Sequence, residues 1–401
     1  MTTLPLFEPA PPAGGDAPGA PSLSPEQLAA VERRDGPLFV HAAAGSGKTS
    51  VLVERFARAV LEDGVPVERI LAITFTDRAA AELRVRIRER LLAAGAREAA
   101  RAAEAAWVST IHGFCARLLR AHAVAAGLDP EFRVLEEHAA ERLRGRAFEA
   151  ALDDFVGPAA DRRRRRVGLL AAYEPRRVEA ALREVHDRLR TRGEVRPALP
   201  EVAAPGDEEV AGAHERLRAA VRAARERLAV AGRHGKQVAA AVDRLERCAS
   251  ACEGLGTGEA LDPFELRELV VRRGNAKALR GADLDELEAS HAACLELCAR
   301  RRAVGDLELL SELLDRYGRR YAELKAEHAS LDFDDLELLA RDLLVRGPAL
   351  RQRLRDRFAH VLVDELQDTN RLQSDLLDLV SDGNLFTVGD ELQSIYGFRG
   401  A

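Results

Sequence analysis

The sequence predicts an α/β protein: a parallel sheet covered by helices on both faces and interrupted by a large, mostly α-helical insertion. Short apolar runs at residues 38–40, 70–73, 107–111, 360–363 and 385–388 alternate with segments of helical periodicity. The runs are predominantly apolar, as strands buried on both faces require, and the alternation with helices implies parallel crossovers. The stretch Ala42-Ala43-Ala44-Gly45-Ser46-Gly47-Lys48-Thr49 joins the first run to an amphipathic segment and reads as a phosphate-binding loop. Across residues 133–330 the strand pattern disappears, and Glu, Arg, Ala and Leu dominate at helical spacing.

Length and composition set the bounds. A chain of 401 residues with 47% hydrophobic residues can bury more than one core, so two or three domains are expected. Charged residues make up 31% yet nearly cancel to a net charge of -6, so attraction to an acidic polymer has to come from local patches. No apolar run approaches the ~18–20 residues needed to cross a bilayer, and no basic segment followed by an apolar one opens the chain. A cytoplasmic protein without a membrane partner is the expectation. Five cysteines do not make a disulfide scaffold, and in that compartment they stay reduced.

Residues 1–22, rich in Pro, Ala and Gly, read as a disordered tail. Ser24-Pro25-Glu26-Gln27 then opens a helix, with Ser as N-cap, Pro at the first helical position and Gln27 in the first turn. Residues 23–132 form the first half of the sheet domain. The strand at 70–73 leads through Thr74-Phe75-Thr76-Asp77 into a helix, and the strand at 107–111 ends at His112-Gly113-Phe114-Cys115 before another. Residues 133–330 form the helical insertion, and 331–401 the second half of the sheet domain. There the strand at 360–363 runs into Asp364-Glu365-Leu366-Gln367-Asp368, and the strand at 385–388 into Gly389-Asp390-Glu391-Leu392-Gln393-Ser394-Ile395-Tyr396-Gly397-Phe398-Arg399-Gly400. In parallel sheets ligands gather at the carboxyl ends of the strands, where these unusual residues accumulate.

The motifs imply a chemistry. Backbone N–H groups of Ala44, Gly45, Ser46 and Gly47 can close around a polyphosphate, Lys48 reaches the outer phosphates, and Thr49 sets its hydroxyl on Mg2+. The loop opens with Ala42 where the usual pattern has glycine, so the match is to its second half. Asp364 at a strand end is suited to hold the metal, and Glu365 to polarise the attacking water. The Gln27 amide has the donor and acceptor that adenine recognition needs, and Gln393 is placed to sense the terminal phosphate. Phe75, Phe114, Tyr396 and Phe398 lie just past strand ends in a chain with only 4% aromatics, interleaved with His112 and Arg399. Aromatic faces there can stack on unpaired bases. The plainer reading is packing under the sheet edge, and Phe114 is expected to be core.

Together these stretches resemble the superfamily 1 DNA helicases of the UvrD/Rep/PcrA and RecB/AddA type. The matching segments run in family order: LSPEQ, AAAGSGKT, ILAITFTDRAAAELRVRI, VSTIHGFCARLLR, LDFDDLELLARDLL, HVLVDELQDTN and TVGDELQSIYGFRGA. They cover about residues 22–132 and 331–401. The resemblance implies a RecA-like P-loop NTPase domain, ATP and Mg2+ as cofactors, and 3′ to 5′ movement on single-stranded DNA at duplex junctions, in repair or recombination. It assigns Gln27 to adenine, Lys48 and Thr49 to phosphate and Mg2+, Asp364 to the metal, Glu365 to catalysis and Gln393 to phosphate sensing. Phe75, His112, Tyr396, Phe398 and Arg399 fall where family members line the DNA path. Departures are Asp77-Arg78 where many relatives have Asn-Lys, Leu366 in place of the commoner Phe, and Glu391-Leu392 in motif III. The separation of His112 from Asp364 and the string TIHGFC lean toward the RecB/AddA branch, whose members often add a nuclease and work with a partner protein. Nothing corresponds to motifs IV to VI of the second RecA-like domain, so that domain is expected to be absent, with weak ATP binding and little turnover by this chain alone. A single-stranded DNA-binding or regulatory module that retains nucleotide contacts is the alternative. Leu4-Pro5-Leu6-Phe7 loosely resembles the peptides with which bacterial DNA enzymes hold the sliding clamp, although an incidental apolar patch explains it more simply.

Two features of the insertion carry less. Arg162 to Arg166 can grip duplex phosphates, or form a solvated helix face. Cys248/Cys252 and Cys294/Cys298 are i, i+4 pairs that can make a four-sulfur metal site if their helices face each other. Their spacing is not that of the common zinc motifs, and small apolar cysteines in Ala-rich helices are the simpler account.

Overall fold

Burial of alternate strand residues on opposite faces organises the sheet. The computed structural model describes residues 2–4, 23–42, 46–157, 160–231, 235–253, 260–271 and 277–390. Six strands, β1 (Thr2–Leu4), β2 (Leu38–His41), β3 (Ile70–Thr74), β4 (Trp107–Thr110), β7 (His360–Val363) and β8 (Leu385–Gly389), form one sheet in the order β1-β2-β8-β7-β3-β4. Every pairing in it is parallel. In β3, Ile70 and Ala72 face one core while Leu71 and Ile73 face the other; in β7, Leu362 faces the first and Val361 and Val363 the second. This period-two split of continuously apolar strands is why no alternation is visible in the sequence. The expected fold class is the observed one.

The first core packs the helices Pro25–Glu32, Lys48–Leu61 and Asp77–Ala93, the second the helices Ile111–Ala121, Phe333–Arg346, Pro348–Arg357 and Arg371–Val380. Buried Arg55 ties the first group together. Its guanidinium donates to Ala30 O at 2.7 Å and Arg33 O at 2.6 Å, and lies 4.2 Å from the Phe386 ring centre. Burial lowers its pKa to about 10, so it keeps its charge at neutral pH.

The tail departs from its sequence expectation at three residues: Thr2–Leu4 pairs with Leu38–Val40 as an edge strand. An open sheet edge offers unpaired backbone groups to any extended segment that reaches it. Of the proposed clamp peptide, Pro5, Leu6 and Phe7 lie outside the described residues.

The insertion leaves and rejoins the sheet domain side by side. β5 (Arg133–Val134) and β6 (Ser330–Leu331) pair in parallel, with Arg133 opposite Ser330, and Leu135 N donates to Leu331 O at 2.8 Å. Packing divides the chain differently from the 133–330 reading. One unit comprises 1–154, 176–197 and 315–401, and the other 155–175 and 198–314. The outer helices of the insertion join the first unit because Phe148, His186, Tyr317 and Tyr321 share aromatic contacts, with Tyr317 and Tyr321 stacked at 6.2 Å. Beside them sits a buried ionic cluster. Lys325 donates to Asp332 at 2.7 Å and pairs with Asp335 at 2.5 Å, its ammonium lies 4.2 Å from the Tyr321 ring centre, and Arg190 pairs with Asp335 at 2.5 Å. Asp332 also caps the helix Phe333–Arg346 in a capping box with Asp335.

The second unit is helical and centres on its own apolar cluster, drawn from the helices Asp207–Ala231, Lys236–Glu253, Pro263–Glu268 and Ala282–Glu327. In the basic run, Arg163, Arg164 and Arg165 are exposed, whereas Arg166 is buried, paired with Glu312 at 2.6 Å and set 5.0 Å from the Phe155 ring centre. Arg166 is therefore structural and leaves the expected phosphate-gripping run.

Candidate nucleotide site and adjoining groove

All six strands point the same way, so their carboxyl ends share one edge, and the candidate residues among the described ones collect there. On the β2 side, Gly47 holds the left-handed backbone (φ 83°) that turns the loop into the helix Lys48–Leu61. The capping box around Ser24 fixes Gln27: Ser24 N donates to its Oε1 at 2.8 Å, and its Nε2 donates to Ser46 O at 2.7 Å. The left-handed backbone favours glycine there, and a Cβ on Gly47 would stand 3.0 Å from Gln27 Nε2, a tight contact that the Gln27 side chain would have to yield to. Among the described residues these contacts leave Gln27 one lone pair and one N–H, the two functions an adenine edge uses. Ser46 Oγ is buried without a hydrogen-bond partner among the described residues. An orphaned hydroxyl in an anion-binding loop fits a phosphate oxygen. Ala44 and Gly45 lie outside the described residues.

β7 supplies the carboxylates. Asp364 N donates to Ile73 O at 2.9 Å, which holds the strand end against β3, and Glu365 then turns into left-handed backbone (φ 53°). That turn aims the Glu365 carboxylate at the loop, where Oε2 accepts from Lys48 Nζ at 2.6 Å and from Gln367 Nε2 at 2.6 Å. Gln367 Oε1 in turn accepts from Asp390 N at 2.9 Å, just beyond β8. A Cβ on Gly389 would sit 2.6 Å from that Oε1 and 3.3 Å from Leu366 N, so a larger residue there would displace the Gln367 amide. Neither Gln367 nor Gly389 has a role legible in the sequence; the available signal is an amide two residues after Glu365. Thr49 and Asp364 offer oxygen donors of the kind Mg2+ prefers, so the residues present fit ATP with Mg2+.

Burial raises the Asp364 carboxyl to about 6, the Glu365 charge acts in the same sense, and Lys48 opposes both. A raised carboxyl pKa makes ionisation the costly state, so a proton competes with Mg2+ below it. Mg2+-dependent nucleotide affinity is therefore expected to weaken about tenfold between neutral pH and about pH 5. Titrations of a fluorescent nucleotide with and without Mg2+ measure this, and Asp364→Asn should flatten the dependence.

A groove of ≈ 750 Å³ adjoins the carboxylates and is lined by Thr74, Phe75, His112, Phe333 and Glu337 as well as by Asp364 and Glu365. Phe75 is half-buried at its rim. His112 Nε2 lies 3.0 Å from Glu337 Oε1, and its ring packs 4.7 Å from that of Phe333, which is 41% exposed. Buried Glu337 also accepts from Gln373 Nε2 at 2.6 Å, so the His112 ring is held by a chain of fixed groups. Phe333 and Glu337 were missed in the sequence, although both stand in the LDFDDLELLARDLL segment. Asp77, the unusual acid near this path, accepts from Thr110 Oγ1 at 3.2 Å, and the same hydroxyl caps the next helix by accepting from Gly113 N. Its role is to join two strand-end turns. Phe114 is fully buried against Trp107 and Phe358, as expected. Gln393, Tyr396, Phe398 and Arg399 lie outside the described residues.

Residues 23–401 match the family described as the UvrD/REP helicase N-terminal domain. Among similar proteins, an ATP-dependent helicase/nuclease subunit of Moorella thermoacetica is 34% identical, with 96% of this chain and 32% of the relative covered. Its counterpart in Pelotomaculum thermopropionicum is 32% identical, covering 93% of this chain and 34% of the relative. That of Geobacillus kaustophilus is 30% identical, covering 93% and 35%. The chain thus spans about a third of the length of these relatives.

Proposed function

The chain belongs to the UvrD/REP helicase family, and from that premise we propose that it is the ATP-binding part of an ATP-dependent DNA helicase that moves 3′ to 5′ on single-stranded DNA in repair or recombination. The observation that carries this reading is the 2.6 Å contact between Lys48 on the phosphate loop and Glu365 beside the metal carboxylate. Residues remote in sequence meet where phosphoryl transfer needs a cation, a metal ligand and a water-orienting carboxylate. Phosphate entering the loop competes for the Lys48 ammonium and releases Glu365 to face the attacking water. Thr49 and Asp364 would hold Mg2+, which would supply charge neutralisation at the phosphates, and Gln27 would read adenine. Phe75 and His112 support a single-stranded DNA path along the groove.

The relatives are ATP-dependent helicase/nuclease subunits, which supports a linked nuclease activity and a partner protein for the whole assembly. No described helix is long and apolar enough to cross a membrane. A cytoplasmic location is part of the same proposal and follows from DNA as the substrate.

The test is ATP hydrolysis with and without single-stranded DNA, alongside separate nucleotide binding. DNA-stimulated turnover supports the motor, and binding without turnover favours a nucleotide-retaining DNA-binding module. Blocking the 3′ or 5′ end of the oligonucleotide decides polarity. Replacing Phe75 with alanine is expected to weaken single-stranded DNA binding by about 1–3 kcal/mol, the value of one base stack, as read by fluorescence anisotropy on oligothymidylate. Nucleotide affinity should not change.

A further inference from the structure

The apolar core of the helical unit contains a concentration of metal-binding side chains that the nucleotide chemistry does not use. His214 comes from the helix Asp207–Ala231, Cys248 and Cys252 from Lys236–Glu253, and Cys294 and Cys298 from Ala282–Glu327. All five are buried, and all four cysteines belong to one apolar cluster. The ligand atoms of His214, Cys294 and Cys298 lie within 4.8 Å of one another. His214 Nε2 is 3.4 Å from Cys298 Sγ, and Cys294 Sγ is 4.0 Å from Cys298 Sγ.

Those spacings match the edges of a coordination tetrahedron. Zinc bonds of the usual length place two sulfurs ~3.8 Å apart and a sulfur and nitrogen ~3.6 Å apart. We propose that His214, Cys294 and Cys298, completed by a thiolate from Cys248 or Cys252, hold one structural zinc ion in the core of the insertion. Soft thiolates with an imidazole select zinc over the oxygen-seeking Mg2+ of the nucleotide site. The site is closed by protein, as structural zinc sites are, and cross-links helices that the sequence separates. The i, i+4 spacing escaped the common zinc patterns because the ligands come from three helices: a pair from one, a single thiolate from the second and the histidine from the third. Cys115, the remaining cysteine, is in the sheet core and takes no part.

The experiment uses the whole chain, purified with reductant and without chelator. Elemental analysis should find about one zinc per chain, and cobalt exchanged for it should show the ligand-field and thiolate charge-transfer absorption of a tetrahedral site. Cys298→Ser and the Cys248→Ser/Cys252→Ser double variant should each lose most of the metal, while Cys115→Ser keeps it. Because core variants can fail to fold, the wild-type protein decides alone: zinc released in step with mercurial titration of its thiols supports the site. A folded, nucleotide-binding wild type that carries no zinc and gives no cobalt absorption would overturn it. So would a Cys294–Cys298 disulfide found by mass spectrometry in metal-free protein, or stoichiometric zinc in both sets of cysteine variants.

Discussion

Glu365→Gln is expected to reduce DNA-stimulated ATP turnover about 10²- to 10⁴-fold, the usual contribution of a positioned acid–base group, while leaving nucleotide affinity equal or higher. The substituted amide keeps an oxygen for the Lys48 ammonium and for Gln367 Nε2, the two partners at 2.6 Å in the native site. It loses the charge that orients and polarises water. Lys48→Ala separates the two roles, since it removes a charge-assisted contact worth roughly 1.5–3 kcal/mol and should fail at nucleotide binding itself. Phosphate release measured beside fluorescent-nucleotide titration distinguishes them. Unchanged turnover in Glu365→Gln would remove the residue from catalysis.

For stability the largest effect is expected at Lys325. Lys325 is 4% exposed, and its ammonium lies between Asp332, 3% exposed, and Asp335. Lys325→Met strands these carboxylates, and breaking a buried ionic pair on one side costs about 3–5 kcal/mol. Arg190 limits the loss, because it still faces Asp335. Burial alone would raise the Asp332 carboxyl, but Lys325 and Arg190 outweigh it and hold it well below the ordinary carboxylate range. In the native protein that contribution is present above the unfolded value of ~3.9 and is lost as pH falls through the lower folded value. In the variant, burial prevails and protonation relieves the cost, so the deficit should be larger at neutral pH than near about pH 5. Denaturant melts at both pH values measure it, and a deficit independent of pH would contradict the assignment.

The sheet was legible because its strands are predominantly apolar runs and the phosphate loop marks a strand-to-helix junction. Lys48, Thr49, Asp364 and Glu365 were legible as motif residues, since their chemistry restricts residue type. What was not legible depends on side chains meeting across the fold. Nothing in the amide of Gln367 announces that it bridges Glu365 to the backbone of Asp390, and nothing in Glu337 announces that it steadies His112. Asp77 stood out only as a departure from the Asn-Lys of many relatives, because its partner, the Thr110 hydroxyl, comes from another strand end. The contents of the insertion were the least legible part, because helical periodicity gives the buried face of each helix but not which helices meet.

The pairing of Arg133 with Ser330 and Val134 with Leu331 makes the whole insertion, topologically, a loop whose ends are already closed. Closure entropy grows only with the logarithm of loop length, so doubling the excursion costs about 0.6 kcal/mol. The sheet domain is thus nearly indifferent to the length of the outer excursion, residues 198–314, which packs in its own unit. Lengthening, shortening or exchanging that excursion is a change the sheet domain can absorb, provided the two short strands are kept as its hinge pins together with the helices that carry Arg190 and Lys325 into the ionic cluster.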